Sequence, residues 1–257
     1  LAKFQLFKPF KPMPARRAGL AMLAAFSASM AAMLVFQFLT MHPRPEALRG
    51  FMAAYNFSAF PSGVAATALS VAVVAALNWR RWAGGTLAVA AFIGVSEVFW
   101  GHSPAAVVAG AVLGGSLGAA GFGLAQPRPE WRWLLWPQAA IAVVVSQIAY
   151  LDLLPLDLLR WPLADKVLHF LLFGAIAFWL NLWLNGRTVK MWWLVIPVAI
   201  LLPITIALLD EGVQWFSPLR SADLLDLSSD LAGMLFFWGL SCKIGRITPK
   251  PAKTGFI

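Results

Sequence analysis

The feature that most constrains this chain is the length of its uncharged apolar blocks. Residues 18–40 run for about 23 positions without a charged side chain, and comparable blocks recur through the rest of the sequence. Apolar runs of about 18 residues or more can cross the ~30 Å hydrocarbon core of a bilayer as a helix. Composition agrees, with 60% of the 257 residues hydrophobic and 12% charged, roughly half the charged share of a soluble domain. The chain therefore reads as an all-α, polytopic membrane protein. Eight spans are predicted, at about 18–40, 60–79, 83–101, 103–125, 133–150, 167–185, 191–215 and 225–241, arranged as two four-helix halves. The segments "NWRRW", "QPRPEWRW", "NGRTVKMWW" and "SPLRSAD" separate several of them. Most of the 13 Trp fall near expected span ends, where an aromatic belt sits at the membrane interface. The first block exceeds a signal-peptide core of roughly 7–15 residues, so it is expected to remain as an anchor. Cys242 is the single cysteine, which excludes a disulfide within the chain.

Charge is sided. Eight spans place both termini on one face. That face carries fifteen Lys and Arg: five in the N-terminal tail, Arg80, Arg81, Arg128, Arg132, Arg187, Lys190 and four in the C-terminal tail. The other face carries Arg44, Arg49, Arg160, Lys166 and Arg220. The excess of basic residues puts the first face in the cytoplasm. Glu130 is the one acid expected there. The other acids, with His42, His102 and His169, fall on or near the outer face. The net charge of +9 thus reports topology and gives no sign of nucleic-acid binding. The organisation expected is a basic aromatic cytoplasmic tail over 1–17, a first half over 18–127, a second half over 133–242 and a cytoplasmic tail over 243–257. In the first tail, "LAKFQLFKPFKPMPARR" interleaves Lys with Phe. This suits an anionic leaflet surface and equally suits docking on a partner protein.

Outward-facing chemistry concentrates in the second half. "ITIALLDEGVQWF" ends an apolar run in Asp210 and Glu211, with Gln214 one turn on. Residues three and four apart share a helix side. "ADKVLHFLLFG" places Asp165 four residues before His169, and "RSADLLDLSSDLAG" sets Asp223, Asp226 and Asp230 on one stripe. Carboxylates near the membrane core are costly and normally face the bundle interior beside partners. Lys166, His169 and Arg220 are the partners on offer. Asp152, Asp157 and Asp223 are expected to stay hydrated in the headgroup zone. For Asp165, His169, Asp210, Glu211, Gln214, Arg220, Asp226 and Asp230 three readings stand: hydrated helix ends, a polar plug between helices, or a ligand or proton site.

The stretches "DKVLHFLLFG", "LLDEGVQWFSPLRS" and "DLSSDLAG" resemble the VanZ-like family over about residues 135–242. Asp165, Lys166, His169, Asp210, Glu211, Gln214, Arg220, Asp226 and Gly233 match its recurrent positions, whereas Asp230 stands where an Asn is usual. The resemblance implies a fold and a membrane location more than a reaction.

The first half, over about residues 18–125, resembles a degenerate type 2 phosphatidic acid phosphatase. "QFLTMHPRP", "FPSGV" and "GHSPAAVVAG" carry the likeness. The resemblance makes Arg44, Ser62 and His102 vestigial site residues, with Pro45, Pro61, Gly63, Pro104 and Gly110 in register. Gln37 stands in place of a phosphate-binding Lys, Val64 in place of the His that protonates the leaving group, Val95 and Ser96 in place of Ser-Arg, and Ala106 in place of an orienting Asp. Phosphoryl transfer needs cationic clamps and an oriented nucleophile, so no catalytic residue is expected. Taken alone, Ser62 reads as a helix N-cap and His102 as an interfacial histidine. Glu97 is placed to pair with Arg44 or His102 and fill the vacated site.

No metal-ligand spacing or cofactor motif is present, and membrane lipids are the expected partners. The favoured function is a non-catalytic protein of the bacterial inner membrane that binds a lipid or amphipathic ligand in envelope biology. An accessory or structural subunit of a larger membrane complex is the alternative. A transporter fits less well, because the inner halves of the helices carry few polar groups.

Overall fold

A computed structural model describes residues 12–40, 60–127, 130–150, 163–191, 193–214 and 223–245. Arg44, Arg220, residues 41–59 and 151–162 and most of the residues expected as tails lie outside the described residues, as does the side chain of Gln214. Among the described residues are eight α-helices of 16 residues or more. These are α1 (Ala15–Thr40), α2 (Gly63–Asn78), α3 (Ala83–Phe99), α4 (Pro104–Leu124), α5 (Leu135–Tyr150), α6 (Ala164–Leu184), α7 (Val198–Gln214) and α8 (Leu224–Ile244). Among the described residues, four segments are long and apolar enough to cross a membrane: Ala15–Gln37, Arg80–Phe99, Pro104–Leu124 and Ala164–Leu184.

The helix ends depart from expectation in ways their residues explain. The first span begins at Ala15, so Arg16 and Arg17 are helical and do not belong to the tail. Residues 60–62 are not helical, because Ser62 caps α2. Helix α6 starts earlier than expected, at Ala164. The largest correction is at 191–197, expected as helix. Strands β1 (Thr188–Met191) and β2 (Leu194–Pro197) pair there as an antiparallel hairpin with Val189 opposite Ile196. The β-branched Thr188, Val189, Val195 and Ile196 favour a pleated ribbon. Asn185 and Gly186, both at positive φ, terminate α6 just before it.

The chain divides into two compact units between Trp131 and Arg132. In the first, the largest helix contact is α2 on α4. Gly110, Gly114 and Gly118 of α4 lie against Ser62, Ala66 and Ser70 of α2. A Cβ at any of the three would strike the carbonyl oxygen of its partner. Pairing advances in the same direction on both chains, so the two helices are parallel. Glycines four apart let helix backbones meet in this way. Helix α1 packs on both, and α3 packs mainly on α2.

In the second unit the largest contact is α6 on α8, and again the two are parallel. Lys166 meets Asp226, His169 meets Asp230, and Asn181 Nδ2 donates to Ser241 Oγ at 2.8 Å. Between these polar pairs the backbones touch, since a Cβ at Gly233 would strike the Phe170 carbonyl and one at Gly174 would lie 2.9 Å from the Gly233 carbonyl. Helix α7 completes the core through Ile200 and Ala207 against Ala177 and Met234. Gln138 of α5 donates to the Leu172 carbonyl at 3.2 Å.

Candidate functional site

The close approach of α6 and α8 at Gly174 and Gly233 sets their first turns side by side, and there the charged residues gather. Asp165, Lys166 and His169 lie on the first turns of α6. Asp223 caps α8, accepting from the Leu225 N–H at 2.8 Å. Asp226 and Asp230 follow on its first two turns. Lys166 Nζ donates to Asp223 Oδ2 and Asp226 Oδ1, each at 2.6 Å, and lies 3.0 Å from Asp165 Oδ2. His169 Nδ1 lies 2.9 Å from Asp230 Oδ1, and its Nε2 lies 4.0 Å from Asp226 Oδ2. The Asp230 side chain is 2% exposed, and stacking on Phe173 steadies the imidazole. Helix α7 contributes Glu211, whose Oε2 accepts from the Asp223 N–H at 3.0 Å. Asp210 is its neighbour on the same turn.

Asp165, His169, Glu211, Asp226 and Asp230 therefore converge, as their spacing suggested. Two further members join them, one of which, Lys166, is among the partners the sequence offered for these acids. Lys166 stands at the centre, bound to three carboxylates. Asp223, expected to be merely hydrated, is both a helix cap and a Lys166 partner. The Lys166 hydrogen bond, aided by the Leu225 N–H, holds the Asp223 carboxyl below its usual range. A sequence signal for Lys166 existed. It stands three residues before His169, on the same face of one helix, opposite a helix start with three acids on one stripe. Among the described residues of this layer, Asp165, Glu211, Asp223, Asp226 and Asp230 face one ammonium and one imidazole, so described acid exceeds described base whether or not His169 is protonated. Such an arrangement joins helices and leaves surplus acceptors for cationic or hydrogen-bond-donating groups.

The first unit holds a smaller polar knot. Ser62 caps α2, accepting from the Ala65 N–H at 3.2 Å while its hydroxyl donates to Glu97 Oε2 at 3.3 Å. His102 Nε2 lies 3.3 Å from the same Glu97 oxygen. Glu97 thus pairs with His102, one of the two partners expected for it, and also accepts from Ser62, which was not expected. Gln37 is buried, and its Nε2 donates to the Pro61 carbonyl at 2.9 Å. Val64 is exposed. Ser96 bonds its own helix at the Ile93 carbonyl. Ala106 is buried, and its carbonyl accepts from the Ser62 N–H. Ser62 and His102 therefore share an acid and have no nucleophile–base contact with each other. Arg44 lies outside the described residues.

A family model described as VanZ/LLP1 matches residues 112–245. The chain belongs to the VanZ/LLP1 family. This VanZ/LLP1 match takes in the later turns of α4 and all of α5 to α8, and so every residue of the acidic layer. With its apolar helices, it makes the chain a membrane protein. The phosphatase-like motifs up to Gly110 lie outside the match. No curated protein and no solved structure matches the chain.

Proposed function

We propose that this VanZ/LLP1 protein is a non-catalytic, eight-span protein of the bacterial inner membrane. Its acidic layer faces outward and receives the polar head of a lipid or other amphipathic ligand. The observation that supports this reading is the surplus, among the described residues, of carboxylates around Lys166 and His169 at the joined ends of α6, α7 and α8. Surplus acid at a membrane-helix end favours a head that carries a positive charge or donates hydrogen bonds. The apolar flanks of the same helices suit the tail. The topology rests on the fifteen-to-five division of basic residues, and the absence of catalysis rests on Gln37, Val64, Ser96 and Ala106.

The test uses purified full-length protein in detergent, with phosphatidylethanolamine and phosphatidylcholine of equal chain length as probes. The lipid bearing the primary ammonium is expected to raise the melting temperature more, and Asp226→Asn to abolish the difference. Equal effects of the two lipids would reject the site. Cysteines introduced in the 41–59 and 152–164 loops should label from outside the cell. No phosphate release is expected from phosphatidic acid or polyprenyl diphosphate, and release abolished by His102→Ala would overturn the non-catalytic reading.

A further inference from the structure

The first unit contains a cleft of about 700 Å³ that the acidic layer does not use. It runs along α2 from Val64 to Ala75 and along α3 from Gly85 to Ile93, with Phe26 of α1 and Trp82 also lining it. Its volume lies within the ~300–1,000 Å³ of ligand sites. Its only side-chain hydroxyls are already engaged. Thr67 Oγ1 donates to the Gly63 carbonyl at 2.9 Å and Thr86 Oγ1 to the Ala83 carbonyl at 3.1 Å. Water needs two to four polar partners to occupy a site, and these walls do not supply them. What fits is a run of methylenes. The cleft's length on α2, at 1.5 Å per residue, is about 16 Å, close to half of the ~30 Å hydrocarbon core. It is thus as long as the acyl layer of one leaflet.

The two ends of the cleft differ in charge. Beyond Val64 and Ile93 lies the Ser62–Glu97–His102 knot, which carries a carboxylate. At the other end Arg80 and Arg81 form the exposed turn between α2 and α3, and neither has a carboxylate partner among the described residues. Arg81 lies 5.6 Å from the Trp82 ring, over its face. Arg16 and Arg17 belong to the same end. The Met13 N–H donates to Asn78 Oδ1 at 2.7 Å and fixes the start of α1 beside the end of α2. Against these four arginines, Glu130 is the one acid at this end among the described residues.

We propose that this cleft seats one acyl chain of an anionic glycerophospholipid, with the phosphate held at Arg80 and Arg81 and Trp82 at the headgroup boundary. The site is separate from the acidic layer of the second unit and prefers the opposite head charge.

Two neighbouring glycines provide a matched test. A Cβ at Gly84 or at Gly85 would meet nothing within 4 Å, yet only Gly85 lines the cleft. Gly85→Leu therefore fills the cleft, and Gly84→Leu adds the same bulk beside it. Binding of phosphatidylglycerol and of phosphatidylcholine with identical chains is measured on purified full-length protein by displacement of a pyrene-labelled phosphatidylglycerol. Phosphatidylglycerol should bind roughly tenfold tighter, because both lipids carry the phosphate but the choline ammonium cancels its charge and is repelled by the two arginines. Arg80→Ala with Arg81→Ala should level the two lipids. Gly85→Leu, and independently Ala68→Leu from the α2 wall, should weaken both lipids, and Gly84→Leu neither. Equal affinity of the native protein for the two lipids would overturn the headgroup assignment. Equal effects of Gly84→Leu and Gly85→Leu would overturn the cleft.

Discussion

Both units set their second and fourth helices side by side in the same direction, yet they hold them together with different chemistry. In the α2–α4 pair three glycines meet Ser62, Ala66 and Ser70, and the helices touch backbone to backbone along two turns. In the α6–α8 pair Gly174 and Gly233 make one such contact, and ionic and polar side chains hold the flanks. Inside a bilayer there is no hydrophobic force between helices, so association rests on packing and on interhelical polar contacts. The first pair draws on packing, which tolerates no added atom and is indifferent to pH. The second draws on charge, which tolerates changes of shape but depends on protonation and on a single lysine.

The sharpest way to break this contrast is Gly114→Ala. Its methyl would fall on the Ala66 carbonyl, a backbone group that no rotamer change can move aside. A loss of about 2–3 kcal/mol in the first unit is expected, read as a lower melting temperature with hydrogen exchange locating the damage to α2 and α4. Lys166→Met comes next. It leaves Asp165, Asp223 and Asp226 facing one another without their common cation. Breaking a buried pair costs roughly 3–5 kcal/mol, but this layer is partly open to solvent, so about 1–2 kcal/mol is expected, confined to the second unit. If Lys166→Met disturbs both units alike, the contrast fails.

Acid should separate the units further. Asp223 is held below the usual carboxylate range, so its pairing with Lys166 stabilises fully above the unfolded value of about 3.9 and is lost as pH falls through its folded value. Melting followed from pH 6 to pH 3 should show the second unit weakening below about pH 4 while the α2–α4 contact holds. Lys166→Met should flatten that dependence. The smallest effects sharpen the comparison from the other side. Glu211→Gln keeps an oxygen for the Asp223 N–H and removes one charge from an acid-rich layer, so its melting temperature should stay close to that of the native protein. Gly115→Ala, one residue from Gly114, would meet the side chains of Leu69, at 3.2 Å, and Val73, at 3.9 Å, and no backbone, and should stabilise by up to about 1 kcal/mol through helix propensity.

Much of this was legible in the sequence because the bilayer makes length and polarity strict signals. The apolar segments marked helices to within a few residues at most of their ends, and among the described residues four of them are long and apolar enough to cross a membrane. Stripes such as Asp226–Asp230 and Asp165–His169 declared which faces would meet. What escaped was pairing. Periodicity shows that Lys166 lies on a polar face, but not that three carboxylates from two helices close on it. That depends on how near Gly233 lets α8 approach. Gly110, Gly114 and Gly118 likewise stand at every fourth position in plain view, yet a helix face does not name the helix it will meet. The hairpin at 188–197 was misread because an apolar run beside an apolar helix carries no mark of where one ends, and β-branching was the only cue. The side chain of Gln214, which spacing also assigned to the acidic layer, and Arg220, the other basic partner on offer, lie outside the described residues.

That hairpin has a mechanical consequence. Its ladder, continued by the Val198 N–H donating to the Arg187 carbonyl at 3.0 Å, clamps the start of α7 and makes it a fulcrum. Thirteen residues beyond, about 20 Å along the axis at 1.5 Å per residue, sits Glu211. Leverage over that arm turns a tilt of about 10° at the clamp into a displacement of about 3 Å at the carboxylate. A hydrogen bond of 3.0 Å between Glu211 and the Asp223 N–H does not survive such a stretch. The hairpin that replaces the expected first turns of α7 therefore sets the angular tolerance within which the acidic layer stays assembled.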